Sequence, residues 1–206
     1  MVKDKFDQYI FCDNDADNLK ALQQRVSFIH KEKNVSYLNG DCNLIIDDII
    51  NCIPKHSMAN KVLSFCFVDP FSLNIEFETI KKLSNYFIDF LVLLALGMDA
   101  NRNFQSEYIN KNSNRIDKFL GLNNWRQRWD KAFAKGDSVI KFLAEEYNKQ
   151  MVSIGYIDKG ISGFIPINFD EKNVLLYYLA FFSKNTKGYD FWDKVKKRNT
   201  EPSLFE

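Results

Sequence analysis

Apolar residues in this chain come in short unbroken runs separated by stretches of helical spacing. Gln8–Cys12 (QYIFC) and Val35–Leu38 (VSYL) read as strands. Leu63, Phe65, Cys66, Phe67 and Val68 form a third run with no polar alternation, the wording of a strand buried on both faces of a parallel sheet. Residues 87–96, FIDFLVLLAL, form a fourth, broken only by Asp89. Between the runs the period changes. From Asp15 to about Lys33, Leu19, Leu22, Val26 and Ile29 recur on one helical face while Lys20, Gln23, Gln24 and Arg25 face out, with Asn34 as the stop. Leu44, Ile45, Asp48 and Ile49 open a second helix that Pro54 ends. Leu73, Phe77, Ile80 and Leu83 stripe a third, with Glu76, Glu78, Lys81 and Lys82 outside. Three strand–helix units in series predict a doubly wound parallel sheet.

The later chain changes character. Gly97 to Gly136 is rich in asparagine, carries Trp125 and Trp129 near its end, and is expected to be a helical insertion over the carboxyl edge of the sheet. A helix resumes at Asp137 with Val139, Ile140, Leu143 and Tyr147 inward. Ile157–Ile167 and Val174–Phe182 leave no room for a helix between two strands, so an antiparallel hairpin is expected. A last amphipathic helix starts near Gly188 with Phe191, Trp192 and Val195 on one face. The whole, 1–206, is expected to be a single α/β domain.

Composition narrows the function classes. With 46% hydrophobic and 15% aromatic residues the chain has material for a core. A net charge of +1 gives no whole-molecule argument for nucleic acid or membrane. No apolar run reaches the roughly 20 residues of a bilayer span, and MVKDKFDQY lacks a secretory core, so no membrane and a cytoplasmic setting are expected. Cys12, Cys42, Cys52 and Cys66 form no CxxC pair, and His30 and His56 alone cannot complete a metal set. The cysteines read as small buried hydrophobes in a reducing compartment.

Three strand ends carry acids: Asp13-Asn14, Gly40-Asp41-Cys42 and Asp69-Pro70-Phe71. Open α/β sheets bind ligands at that edge. Asp13 is either a ribose ligand or a strand-end acid beside a helix start, and Gly40-Asp41 either binds adenine or turns the chain. Asp69 and Phe71 either hold an amino group and stack on a flat base, or the acid caps the next helix and Pro70 shapes the turn. Asp89, inside a buried strand, needs a partner, structural or catalytic. Arg102, Arg115, Lys118, Arg126, Arg128, Lys131 and Lys135, interleaved with Phe104, Trp125 and Trp129, either bind a nucleic-acid strand or form a solvated face over core aromatics.

A parallel α/β sheet finished by an antiparallel hairpin resembles a class I S-adenosylmethionine-dependent methyltransferase, a Rossmann-like fold. The phrase FVDPFSLNIEFETIKKL, the acidic FCDND, the GD turn and LLYYLAFFSKNTKGYDFW resemble the three-Cys-motif partner proteins of bacteria over most of the chain. The resemblance implies S-adenosylmethionine held by Asp13, Asn14, Gly40, Asp41 and Cys42. It implies an acceptor amine, of a nucleic-acid base or another molecule, at Asp69, Pro70 and Phe71, and a three-Cys-motif protein as partner. In that fold a first strand and Gly-rich turn precede FCDND and lie between the strands at 8–12 and 62–68, yet only seven residues precede Gln8. Either the chain is a piece of a longer protein, the first expectation, or those strands pair directly, or another chain supplies the unit. Alternatives to an enzyme are a non-catalytic interaction domain that keeps the fold and a nucleic-acid-binding module.

Overall fold

The computed structural model describes residues 6–29, 34–110, 112–169 and 174–200. Among them the chain is α/β and divides into two compact units, Met1–Val62 and Leu63–Glu206.

The first unit is a strand–helix–strand–helix. β1 (Gln8–Asp13) and β2 (Asn34–Asn39) pair in parallel, from Gln8↔Asn34 to Asp13↔Asn39. α1 (Ala16–Ile29) crosses between them. Asp15 starts it: its Oδ1 accepts the N–H groups of Asp17 at 2.8 Å and Asn18 at 3.2 Å, satisfying two of the donors a helix start leaves open. Leu19 is buried and Leu22 and Val26 half-buried, while Lys20, Gln23, Gln24 and Arg25 are exposed, as the spacing requires. Asn34 opens β2 rather than stopping the helix, and the expected helix end at Lys33 lies outside the described residues. α2 (Ile46–Cys52) is shorter than its apolar pattern suggested: Leu44 sits exposed in the preceding turn, and Ile46 is the buried residue. Ile53, before Pro54, is extended, as the proline ring demands.

The second unit is built on a four-stranded sheet of order β3-β4-β6-β5: β3 (Ser64–Val68), β4 (Ile88–Leu94), β5 (Ile165–Phe169) and β6 (Val174–Phe182). β3 and β4 are parallel, while β4–β6 and β6–β5 are antiparallel. The expected C-terminal hairpin is therefore present. The expected mostly parallel sheet is not: two sheets form, and the larger has more antiparallel than parallel pairings. The parallel pairs alternate with helices as the sequence indicated, but β6 takes the position beside β4.

One face of this sheet carries the main core. Ile88, Phe90, Val92 and Leu94 of β4 are buried under α3 (Phe77–Leu83), α5 (Arg115–Leu120) and α7 (Val139–Ser153). An aromatic chain stitches it: Tyr147 meets Phe119 at 5.0 Å and Phe77 and Phe182 at 6.0 Å, and Phe90 meets Tyr156 at 5.7 Å. α8 (Thr186–Thr200) covers the other face at β6, where Phe181 stacks on Trp192 at 5.1 Å and meets Tyr189 at 5.3 Å, with Leu91 and Leu179 beside them. Phe191, expected inward, is exposed, and Tyr189 takes its place in the buried stripe.

Region 97–136 is helical, as expected. After β4 the chain makes a wide turn, Leu96–Ala100, followed by α4 (Asn101–Asn103), a second wide turn Phe104–Tyr108, α5, and α6 (Trp125–Phe133). Gly97 is needed at its root, because a Cβ there would lie 1.9 Å from the Leu175 carbonyl oxygen of β6.

The β3 strand departs from its sequence wording. The expected burial on both faces fails, since Phe65 and Phe67 are 45% and 55% exposed. Ser64 donates its N–H to Phe87 of the neighbouring segment at 3.3 Å, so residues 64, 66 and 68 turn their peptide groups toward β4. Phe65 and Phe67 turn theirs to the outer edge. Their rings lie on the α8 face, in register with Asp89 and Leu91, but remain exposed beside the ground that α8 covers.

Candidate functional site

Two loop clusters lie at the carboxyl ends of parallel strands, one in each unit. In the first unit β1 and β2 bring together every residue expected at the cofactor. Asp13 pairs in register with Asn39, and the Asp13 carbonyl accepts Gly40 N–H and Asn39 Nδ2, each at 3.0 Å. Asp13 Oδ1 accepts the Asp15 N–H at 2.8 Å, turning the chain through Asn14 into α1. Gly40, at φ 155, is followed by Asp41, whose Oδ1 accepts the Asn43 N–H at 2.9 Å and whose carbonyl accepts from Leu44 and Ile45. Each carboxylate thus spends one oxygen on its own turn and leaves the other without a bond among the described residues. Cys12 contacts the Gly40 carbonyl through Sγ at 3.5 Å. Burial, then the nearby Cys42, Asp13 and Asp41, push its thiol up to about 11, so at neutral pH it is not a nucleophile. Cys12, Cys42, Cys52 and Cys66 form no disulfide and are half-buried rather than buried.

The second cluster follows β3. Asp69 and Phe71 are exposed, Phe71 by 88%, and the Asp69 carboxylate makes no bond among the described residues. The alternative in which Asp69 caps a helix is not what forms: α3 begins at Phe77, its cap position is Glu76, and no side chain caps it. Ser72 carries φ 65, a left-handed backbone that costs a non-glycine residue on the order of 1 kcal/mol.

What holds that turn was not among the residues singled out from sequence. Asp99, in the wide turn after β4, is 8% exposed. Its Oδ2 accepts the Ser72 hydroxyl and the Leu73 N–H, the latter at 3.1 Å. Its Oδ1 accepts Asn103 Nδ2 and the Tyr108 hydroxyl, both at 2.5 Å. Arg115 Nη1 lies 3.4 Å from the Ser72 hydroxyl and 3.5 Å from that of Tyr108. Burial and the hydrogen bond to Asp99 raise the Tyr108 phenol above its ordinary range. A polar residue in the wide turn directly after a buried strand was the available signal.

Asp89 has the partner its position demands, a hydrogen bond with Ser183 of the β6–α8 connection, while burial raises its carboxyl above the ordinary range. The basic and aromatic residues of 97–136 separate. Phe104, Trp125 and Trp129 are buried, with Phe104 5.1 Å from Trp129, so they offer no platform for stacking bases. Arg126 lies over Trp125 at 4.4 Å, pairs with Asp117 at 3.2 Å, and donates to the carbonyls of Tyr108, Asn110 and Ser113. Arg128 pairs with Glu146, and Lys118 with Glu76 at 2.7 Å. Arg102, Lys131 and Lys135 are exposed.

Among the described residues no group of three or more His, Cys, Asp or Glu could hold a metal ion, and no helix is long and apolar enough to cross a membrane. His56 Nδ1 closes its own loop with the Val62 N–H at 3.0 Å, and His30 lies outside the described residues. No protein-family model, curated protein or solved structure matches the chain.

Proposed function

We propose that this chain is a Rossmann-type, methyltransferase-like protein, related to the three-Cys-motif partners, that binds S-adenosylmethionine at the strand ends of its first unit and an amine acceptor at the turn after β3 in its second. The observation that carries the reading is the meeting of the Asp13 and Gly40-Asp41 turns at the carboxyl ends of two adjacent parallel strands, each carboxylate keeping one oxygen open. Two free anionic acceptors side by side suit the hydroxyls and amine of an adenosine. Asp13 with Asn14 would take the ribose hydroxyls, and Asp41 with Gly40 and Cys42 the adenine. When bound, the cofactor supplies a methyl group on a sulfonium that is already a reactive donor. The residues' own work is then to bind and orient. Asp69, with its free carboxylate, would accept from the acceptor's N–H, and exposed Phe71 would stack on its plane.

Titrating S-adenosylmethionine into the protein by calorimetry tests this. Saturable binding weakened about tenfold or more in Asp13→Ala and in Asp41→Ala supports it, since a lost hydrogen bond to a charged group is worth roughly 1.5–3 kcal/mol. Absence of binding sinks the cofactor assignment.

A second reading, an interaction domain, is favoured by β3. Phe65 and Phe67 leave both their peptide groups and their rings open. Pairing with the edge of a second copy would satisfy the peptide groups and leave the rings bare. An apolar parallel strand followed by a helix satisfies both, so the occupant is a strand–helix unit from another segment or chain. Slowed amide exchange at Phe65 and Phe67 in a purified complex supports it. Fast exchange there in every complex isolated removes it.

A further inference from the structure

We propose that Asp99 is the positioning residue of the Asp69–Ser72 turn. Its carboxylate holds Ser72 in the left-handed conformation and so sets the direction in which Asp69 and Phe71 leave the sheet. The proposal rests on the reading of Asp69 and Phe71 as the acceptor side, and it says what makes that side rigid.

The first observation is saturation. A carboxylate offers about four acceptor positions, and Asp99 fills them with Ser72, Leu73, Asn103 and Tyr108. A buried acid in that state has no lone pair to spare for a metal or a proton from substrate. Its role is to hold neighbours in place.

The second is direction. Arg115 has only donors, so the Ser72 and Tyr108 hydroxyls each accept from Arg115 and donate to Asp99. Neither hydroxyl can rotate without breaking two bonds. The third is reach: Ser72 and Leu73 stand 27 and 26 positions from Asp99, so the turn after β3 is tied to the segment after β4. The strained residue is one of those two anchors. Ser72 has φ 65, and relaxing it to negative φ would swing the exposed Phe71.

The same network accounts for an exposed aromatic at the head of a strand. An exposed phenylalanine on a loose turn would collapse onto the nearest apolar surface. On a turn fixed at its next residue it stays presented.

The test is a four-variant cycle read by amide exchange at Leu73, whose N–H is bonded to Asp99, alongside global stability from denaturant unfolding and S-adenosylmethionine affinity. Asp99→Asn should speed Leu73 exchange about tenfold or more beyond what the global change explains. Ser72→Gly takes positive φ without strain, so adding Asp99→Asn to it should cost Leu73 only about threefold. Asn103→Ala, a milder loss on the opposite oxygen, should give an intermediate rate. Glycine rescue supports the proposal, as does folding of the double variant where Asp99→Asn alone does not fold. Equal loss in both backgrounds, no local change at Leu73, or failure of the double variant to fold overturns it. Cofactor affinity unchanged across the cycle separates this result from failure of the cofactor assignment itself, which removes binding from the parent.

Discussion

The four-stranded sheet ends in two edges of opposite design. β5 is guarded: Pro166 stands in it and a register shift falls between Ile167 and Asn168, both features that spoil an edge as a template. β3 has no proline, charge or bulge among its five residues, and its outward peptide groups belong to two exposed phenylalanines. A terminal edge needs protection and an interior strand does not. β3 therefore has the chemistry of an interior strand in the position of a terminal one.

The largest expected effect tests which side of β3 is open. Cys66→Pro removes a ladder N–H and should cost about 3 kcal/mol, whereas Phe67→Pro removes an outward N–H and should cost about 1 kcal/mol, read by urea unfolding. Equal losses would mean the outer edge is already paired. Next, Phe65→Lys with Phe67→Lys gives β3 the guard it lacks. We expect about a tenfold drop in self-association by light scattering, with stability changed by less than about 1 kcal/mol. No change in association would show that the edge is not adhesive.

Asp89, half-buried and in register with Phe65, gives a pH prediction. Its folded carboxyl is raised by burial, opposed by Ser183, so the folded state holds the proton more tightly than the unfolded chain. Stability should fall as pH rises from about 4 through the raised value, then level off. Asp89→Asn should abolish that fall. A cover over Phe65 would deepen it, so the slope also reports occupation of the β3 face. The smallest effect is expected at the guarded edge. Pro166→Val should change stability by less than about 0.5 kcal/mol but raise association, because it restores an outward N–H.

Which elements form was largely readable from apolar spacing. β1, β4, the β5–β6 hairpin and the main helices fall where the periodicity changes, because burial on one face is what creates the periodicity. Edge status was not readable. Phe65-Cys66-Phe67 describes a strand that could be covered, and only the pairing shows that it is the end strand of its sheet. The acids at strand ends were legible as Asp13, Asp41 and Asp69. Asp99 was not, because its partners Ser72, Asn103 and Tyr108, and Arg115 behind two of them, are ordinary polar residues that only the folded turns bring together. The basic–aromatic mixture at 97–136 was ambiguous by composition. Burial resolved it, placing the rings in the core and Arg126 among carbonyls.

Gly97 also bears on how this architecture can vary. Contact with the β6 carbonyl leaves no space for any side chain at the root of the 97–136 region, while Gly136, at its far end, has open space around it. Loop grafts and reporter insertions should therefore be tolerated near residue 136 and rejected near residue 97. Sterics fix the fit of the region to its scaffold at residue 97, so exchanging it for a foreign segment requires keeping a single hydrogen atom where every other amino acid would bring a carbon.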